Sequence, residues 1–342
     1  MASDWSAKNP YMTQITENFI LNGEGSRKET RHIVFALGDS GMDYKVGDAL
    51  GVIAENPPHI VVSIQQHRWE QEERGIPALM AHRIDMLGTG NAFLPHGRHH
   101  SFAMLNGRHV IDAPPTALAG FRRHGQNVAE IETIFITHVH GDHVFGFPFL
   151  LLERKYISDR DGVQPLRVVG TPFVKERLTQ LCQFAFPGSL DSMLDLVEWD
   201  HRDIGETPDG WLWERFDVHH DDAVEPHGYR FEHKDGASFV HSGDSGPCKS
   251  LYDAIRRSHL AILEMGFPDW VPSTHHHKPS DVLAFATECK TPLGITHTYV
   301  DDRSEHPPVL TDELPDLPDH VIHLRDGHGM IWENEKWVFS SP

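Results

Sequence analysis

Ile131-Glu132-Thr133-Ile134-Phe135-Ile136-Thr137-His138-Val139-His140-Gly141-Asp142-His143 is the stretch on which the architecture turns. Residues 131–136 form an apolar run that reads as a buried strand. The chain then places three imidazoles and one carboxylate between His138 and His143. His138 and His140 are two residues apart, so at a strand end they point the same way. Gly141 lets the backbone bend and aims Asp142 and His143 at a neighbouring point. That geometry suits two adjacent metal ions, with two of these ligands for each. The chain holds 27 histidines in 342 residues, and other clusters occur at His99-His100 and His275-His276-His277. Here, though, residue type, spacing and the preceding strand agree.

The composition narrows the partners. Asp and Glu number 50 against 30 Lys and Arg, for a formal charge of -20. Such a surface repels phosphate backbones, and no basic run of five or more occurs, which weighs against nucleic acid. A small anion remains compatible, because bound metal ions invert the local field. The hydrophobic fraction of 39% allows a sizeable core, in one large or two moderate domains. Cys182, Cys248 and Cys289 are odd in number and far apart, so free thiols are expected rather than a disulfide framework or a zinc knuckle. The polar N-terminus and the lack of a membrane-length apolar run lead us to expect a soluble, cytoplasmic protein with no membrane partner.

From its start the chain reads as two parts, 1–77 and 78–342. Short apolar runs at 19–21, 31–37 and 48–53, separated by Gly-rich turns, suggest a small antiparallel β module. It resembles the start of the flavin-binding barrel of the sulfite reductase flavoprotein (diflavin reductase) family. The resemblance rests on Thr16-Glu17-Asn18, on Gly23-Glu24-Gly25-Ser26-Arg27-Lys28-Glu29-Thr30-Arg31-His32-Ile33, and on Gly47-Asp48-Ala49-Leu50-Gly51-Val52 with Glu55-Asn56. The family's Arg-x-Tyr-Ser flavin motif and its nicotinamide domain have no match, so we expect no flavin and a structural role. Three strands are marginal alone and need a surface to pack on. That surface is either the main domain or a second copy, which makes a homodimer through this module an expectation. Residues 57–77 read as a connector, with a solvated charged helix around Glu70-Gln71-Glu72-Glu73-Arg74.

The main part alternates strands and helices, which argues α/β layers. Strands are expected at 83–90, 101–105, 109–113, 166–170, 238–241, 260–264 and 293–297. Asn106-Gly107 marks a hairpin. Helices are expected at 115–124, 144–154, 172–186 and 190–198. Trp211 and Trp213 read as core, with a pocket wall as the alternative.

Further ligands lie at later strand ends. Phe216, Val218 and His220 share a face at period two, which favours His220 as an inward ligand. A bulge would hand that role to His219. Asp244 sits in a Gly-flanked turn after an apolar strand, placed to bridge two ions. His297 ends the run Leu293-Gly294-Ile295-Thr296.

This set resembles the metallo-β-lactamase superfamily over about 78–342. The matching residues are Leu87-Gly88-Thr89-Gly90, Ile111-Asp112-Ala113, the His138 to His143 motif, His220 before Gly228-Tyr229-Arg230, Ser242-Gly243-Asp244 and Thr296-His297. The resemblance implies a four-layer αββα sandwich with the metals at one edge of the sheets. It also implies that His138, His140 and His220 hold one ion, that Asp142, His143 and His297 hold the other, and that Asp244 bridges them. Asp112 then matches a buried carboxylate behind the ligands. Within the superfamily the chain is most similar to the ribonuclease Z and phosphodiesterase branch, which carries a His ahead of the last ligand. His276 is its counterpart, with the register among His275, His276 and His277 open by one and Lys278 replacing the branch's hydroxyl residue. No basic tRNA-holding arm is visible.

The implied chemistry is hydrolysis of a small phosphodiester by metal-activated water. Two divalent ions are expected, Zn first, with Mn or Fe as alternatives. Asp142 would orient the water's proton, His276 would protonate the leaving oxygen, and Lys278 would contact a substrate anion. A carbon ester, lactone or amide hydrolase is the alternative. An iron-dependent oxygenase on the same fold is a second alternative, against which the seven-ligand set argues.

Overall fold

The computed structural model describes residues 15–20, 31–36, 82–299 and 317–341. The chain divides into two units, Met1–Leu79 and Met80–Pro342. In the first, β1 (Ile15–Ile20) pairs antiparallel with β2 (Arg31–Phe35), Ile20 lying opposite Arg31. The strand expected at 48–53 and the connector expected at 57–77 lie outside the described residues.

The second unit is built on two sheets. One contains β3 (Arg83–Gly88), β4 (Phe102–Leu105), β5 (His109–Ile111), β6 (Thr133–Phe135), β7 (Leu166–Val169) and β8 (Val197–Asp200) in chain order. The other runs in chain order from β9 (Ile204–Glu206) through β10 (Trp211–Asp217), β11 (His227–His233), β12 (Ser238–His241), β13 (Ala261–Glu264) and β14 (Leu293–Thr296) to β15 (Val321–His323). The last strands, β16 (Gly329–Glu333) and β17 (Lys336–Ser340), return to the first sheet, where β16 pairs antiparallel with β3.

Period-two alternation sorts each strand's side chains into layers. In the first sheet Phe102, Met104, Val110, Ile134 and Val168 turn outward to an apolar layer that includes Phe121, Phe147 and Leu178 from helices Ala117–Arg123, Phe147–Glu153 and Pro172–Ala185. The residues between them, Ala103, Leu105, Ile111, Phe135 and Val169, turn inward to meet Trp211, Trp213, Tyr229, Phe231 and Phe239 of the second sheet. The second sheet's other face, with Val240, Leu263 and Ile295, packs on Leu251, Ile255, Val282 and Phe285 of helices Lys249–Arg256 and Pro279–Glu288. Helix, sheet, sheet and helix layers follow, and both tryptophans at 211 and 213 are core residues. Phe135 is fully buried, with its ring 5.0 Å from Phe231, 5.3 Å from Tyr229 and 5.8 Å from Trp213.

The Asn106-Gly107 hairpin forms as read, both residues taking positive φ (53° and 69°) as a tight turn of this kind requires. Two helices differ from the sequence reading. The helix expected at 144–154 is broken into Gly141–Val144 and Phe147–Glu153, the second starting with Pro148 in its first turn. A proline there has no N–H to continue the preceding ladder. The helix expected at 190–198 shrinks to Asp191–Leu194, and Val197–Asp200 extends instead as the edge strand β8. Pairing with β7, Leu166 opposite Val197, outweighs the weak helical pattern of so short a segment.

Strands β5 to β8 run parallel, as do β12 to β15. Their carboxyl ends are where open α/β sheets gather ligands. Asp112 follows β5, Thr137 and His138 follow β6, Asp244 follows β12, Glu264 ends β13, and His297 follows β14.

Candidate metal centre

Asp112 organises the centre from behind. Fully buried, its carboxylate accepts the Thr137 N–H at 2.8 Å, the Thr137 hydroxyl at 2.8 Å and His143 Nδ1–H at 2.7 Å. It adopts φ +68°, a left-handed conformation uncommon for a residue with a side chain and concentrated at functional sites. Because Nδ1 of His143 carries the proton, its Nε2 presents a lone pair. The Thr137 hydroxyl has spent its proton on Asp112, so it accepts from His138 Nδ1 at 3.0 Å, and His138 Nε2 is likewise a lone pair. His220 Nδ1 donates to the His275 carbonyl at 2.9 Å, which frees its Nε2 in turn.

Those freed atoms converge. His140 Nδ1 lies 3.1 Å from His138 Nε2 and 3.1 Å from His220 Nε2. His143 Nε2 stands 3.4 Å from His297 Nε2 and 3.3 Å from Asp244 Oδ1. His297 Nε2 is 3.3 Å from Asp142 Oδ2 and 3.3 Å from Asp244 Oδ1. Two groups result, His138, His140, His220 and Asp244, and then Asp142, His143, Asp244 and His297, the donor atoms within each lying within 4.8 Å of one another. Asp244 belongs to both, and its Oδ1 is buried without a hydrogen-bond partner. Lone pairs turned on one another at these distances repel unless a cation sits among them. The residues present therefore fit a pair of divalent ions, the tautomers of His138, His143 and His220 being set by a partner on each imidazole's far side. His297 also takes a positive φ, +52°, as the chain leaves β14.

Electrostatics agree with that fit. Burial alone would raise the Asp244 and Asp142 carboxyls, yet the surrounding imidazoles, His297 and His143 foremost, hold both well below the usual carboxylate range. Burial drives His138 well below its ordinary value and so keeps it neutral. Burial pulls His143 the same way, but Asp244, Asp142 and Asp112 overcome it and raise the group well above its ordinary value. The field at that point favours a positive charge.

Of the consecutive histidines, His276 faces the cluster. Its ring stacks on His297 (5.6 Å between centroids, 4° between planes), and its Nδ1 lies 3.0 Å from Glu264 Oε1. Burial would lower it, but Glu264 pushes it up to about 9. His275 is exposed, and His277 turns away to the Ser245 carbonyl at 2.6 Å and the Tyr252 hydroxyl at 3.2 Å. His220 is buried, whereas His219 is exposed and meets Thr274. Lys278 caps helix Pro279–Glu288, its backbone N–H donating to Asp281 at 3.1 Å; among the described residues no contact joins its ammonium to the cluster.

Glu264 is the residue the sequence reading passed over. It is 1% exposed and accepts the backbone N–H groups of Ser245, Gly266 and His277 at 3.0, 2.5 and 3.2 Å, besides holding His276. The available signal was a lone carboxylate closing the apolar strand Ala261-Ile262-Leu263, in the row of strand ends that carries Asp244 and His297.

Comparison with known proteins falls into the same two parts. The profile of the FAD binding domain matches residues 3–75. Over 72 residues there the chain is 44% identical to the sulfite reductase [NADPH] flavoprotein alpha-component of Bacillus subtilis, which covers 21% of this chain and 12% of that protein. Over 86 residues it is 40% identical to the anti-Pycsar protein Apyc1 of Paenibacillus, covering 25% of this chain and 35% of that protein. The chain thus spans well under half the length of either relative. Ribonuclease Z of Mycolicibacterium gilvum is 26% identical over 207 residues, 53% of this chain and 72% of that protein. The metallo-β-lactamase fold protein YhfI of Bacillus subtilis superposes with a TM-score of 0.56 at 13% identity, over 73% of this chain and 99% of that one. A diphosphatase from the PhnP family superposes at 0.55 with 20% identity, over 74% and 98%. The profile of the beta-lactamase superfamily domain spans residues 108–297, more than half of the sequence and every residue of both ligand groups, and the chain belongs to that superfamily.

Proposed function

We propose that the chain is a metal-dependent hydrolase that cleaves a small phosphodiester at a two-metal centre. His138, His140 and His220 would hold one ion, Asp142, His143 and His297 the other, with Asp244 shared; a set of nitrogen and oxygen donors suits Zn, with Mn or Fe as alternatives. Such ions supply Lewis acidity toward a phosphoryl oxygen and lower the pKa of a water. Asp142, held ionised by its imidazole neighbours, orients the proton of the attacking water. As the new P–O bond forms, the bond to the leaving alcohol breaks, and His276 delivers a proton to the departing oxygen. Glu264 orients His276 and keeps it charged.

The observation that carries this reading is the Glu264–His276 pair beside Asp244, His276 Nδ1 lying 4.0 Å from Asp244 Oδ2. An alkoxide leaving phosphorus needs a proton donor, and a protonated imidazole placed against the ligands is one. Membership of the superfamily and the likeness to a ribonuclease Z and a diphosphatase support the same class. The charge of -20 weighs toward small substrates over a nucleic-acid chain. The experiment is an assay of bis-p-nitrophenyl phosphate and small dialkyl phosphodiesters against esters and lactones. Turnover of the phosphodiesters, lost in His140→Ala with the fold intact, is expected; turnover of lactones alone would overturn the phosphodiester reading in favour of the carbon-ester one.

A further inference from the structure

A second histidine cluster lies at the other end of the sandwich. His82 immediately precedes β3, His233 is the last residue of β11, and Asp235 sits in the turn to β12. The opposite end of β11, His227, donates its N–H to the Thr137 carbonyl beside the metal centre. Seven residues of strand, at about 3.3 Å per residue, separate the two places by roughly 20 Å.

His82 Nε2 is 3.0 Å from His233 Nδ1 and 2.9 Å from Asp235 Oδ2, and His233 Nδ1 is 2.9 Å from Asp235 Oδ1. The two ring nitrogens thus face each other and, one each, the two oxygens of a single carboxylate. The backbone N–H of Asp235 approaches His233 Nδ1 only to 3.5 Å, too far to set that ring's tautomer. Either proton arrangement leaves a poor contact: protons on both nitrogens set N–H against N–H across 3.0 Å, and a single proton leaves the other nitrogen's lone pair against a carboxylate oxygen. A cation between the two nitrogens and the carboxylate relieves both arrangements, and the donor atoms lie within 4.8 Å of one another. An ion about 2.0–2.1 Å from both nitrogens and from a carboxylate oxygen would have three ligands of a tetrahedral zinc.

The surroundings are those of a built site. The His82 and His233 side chains are 8% and 5% exposed, while Asp235 is 29% exposed, so the open direction is toward solvent and a water. Trp211, fully buried, packs against both rings at 4.7 and 5.4 Å and fixes their planes. Asn106 Nδ2, 3.4 Å from His82 Nδ1, is too distant to lock the tautomer, its firm partner being Asp209 at 2.9 Å. Burial lowers the His82 pKa, which keeps the ring in its neutral form.

We propose that His82 Nε2, His233 Nδ1 and the Asp235 carboxylate bind a further divalent transition-metal ion, with Zn²⁺ the fitting class, outside the active centre. β3 belongs to one sheet and β11 to the other, so the ion pins the two sheets together at the pole remote from the chemistry. Its role is structural, and it is independent of the reaction proposed above.

The experiment counts metal per chain by plasma mass spectrometry after dialysis against buffered Zn²⁺, comparing wild type with His233→Ala and Asp235→Asn. Each variant is expected to hold one ion fewer than wild type and to keep its hydrolytic activity. Equal counts overturn the site. Because His233 is buried, the turn variant Asp235→Asn serves as the second arm. Anomalous scattering from zinc-loaded wild-type crystals gives an independent reading: a peak within bonding distance of His82 Nε2, His233 Nδ1 and the Asp235 carboxylate is expected, and its absence also overturns the site.

Discussion

Glu264 Oε1 lies 3.0 Å from His276 Nδ1, and the pair is sealed beneath the metal ligands with Glu264 1% exposed. In the proposed reaction this relationship separates proton delivery from water activation. His276→Ala should therefore cost little on p-nitrophenyl esters, whose leaving group needs no proton. On an alkyl phosphodiester the same variant should lose about 10²–10⁴-fold in kcat. Glu264→Gln should reproduce the pattern more weakly. Equal losses on both substrates would refute His276 as the acid and leave it a packing residue.

Asp112 is fully buried behind the candidate ligands, and it fixes His143 and, through the Thr137 hydroxyl, His138. Asp112→Asn replaces an acceptor with an amide that cannot hold all three donors. We expect metal affinity to fall about 10–100-fold, measured by competition with a fluorescent chelator. Unchanged affinity would mean that the imidazole tautomers are set elsewhere.

Much of this centre was legible because its ligands come at the ends of strands with clear period-two patterns. His220 could be chosen over His219 from the parity of Phe216 and Val218 alone, and the buried and exposed states of the two histidines follow it. His276 could not be separated from His275 and His277, because a loop has no period to count. What separates them is Glu264, reaching across from β13. The edge strand β8 was hidden for a related reason: its partner β7 lies about 30 residues earlier, and the local pattern of 190–198 is weak. The His82–His233 pair, 151 residues apart, carries no local signal at all.

Cys182 lies on the buried face of helix Pro172–Ala185, in the apolar layer, and burial pushes its thiol up to about 12. The sign follows directly: the thiolate is the reactive form, so raising the pH from neutrality to about 10 leaves Cys182 protonated and inert. Native protein should therefore show one readily alkylated thiol, Cys248, which is only half-buried, and Cys182 should react only on unfolding. Mass spectrometry of native protein labelled with iodoacetamide reads this out; label at Cys182 below pH 10 would contradict the burial.

Phe135 tests the inter-sheet core. It is fully enclosed by Trp213, Tyr229 and Phe231, and it is the last residue of β6 before the chain reaches Thr137 and His138. Phe135→Ala should cost about 3–5 kcal/mol in denaturant unfolding, through lost transfer energy and the cavity left behind. A smaller cost would mean that the sheets collapse onto the gap. The variant's kcat should fall as well, because a relaxed β6 no longer holds Thr137 against Asp112.

The N-terminal unit remains to be connected to this chemistry. We propose that it binds no flavin and pairs two copies of the chain. Its two described strands form one antiparallel ladder, and such a pair is marginal in water unless another surface covers it. The match to the FAD binding domain over 3–75 makes the flavin question sharp. Full-length protein, reconstituted with FAD and desalted, should be colourless; a retained isoalloxazine absorbance would overturn the structural role. Light scattering should return a dimer for the full chain and a monomer for residues 78–342. A full chain that is monomeric at micromolar concentration would remove the pairing role, whatever the flavin result.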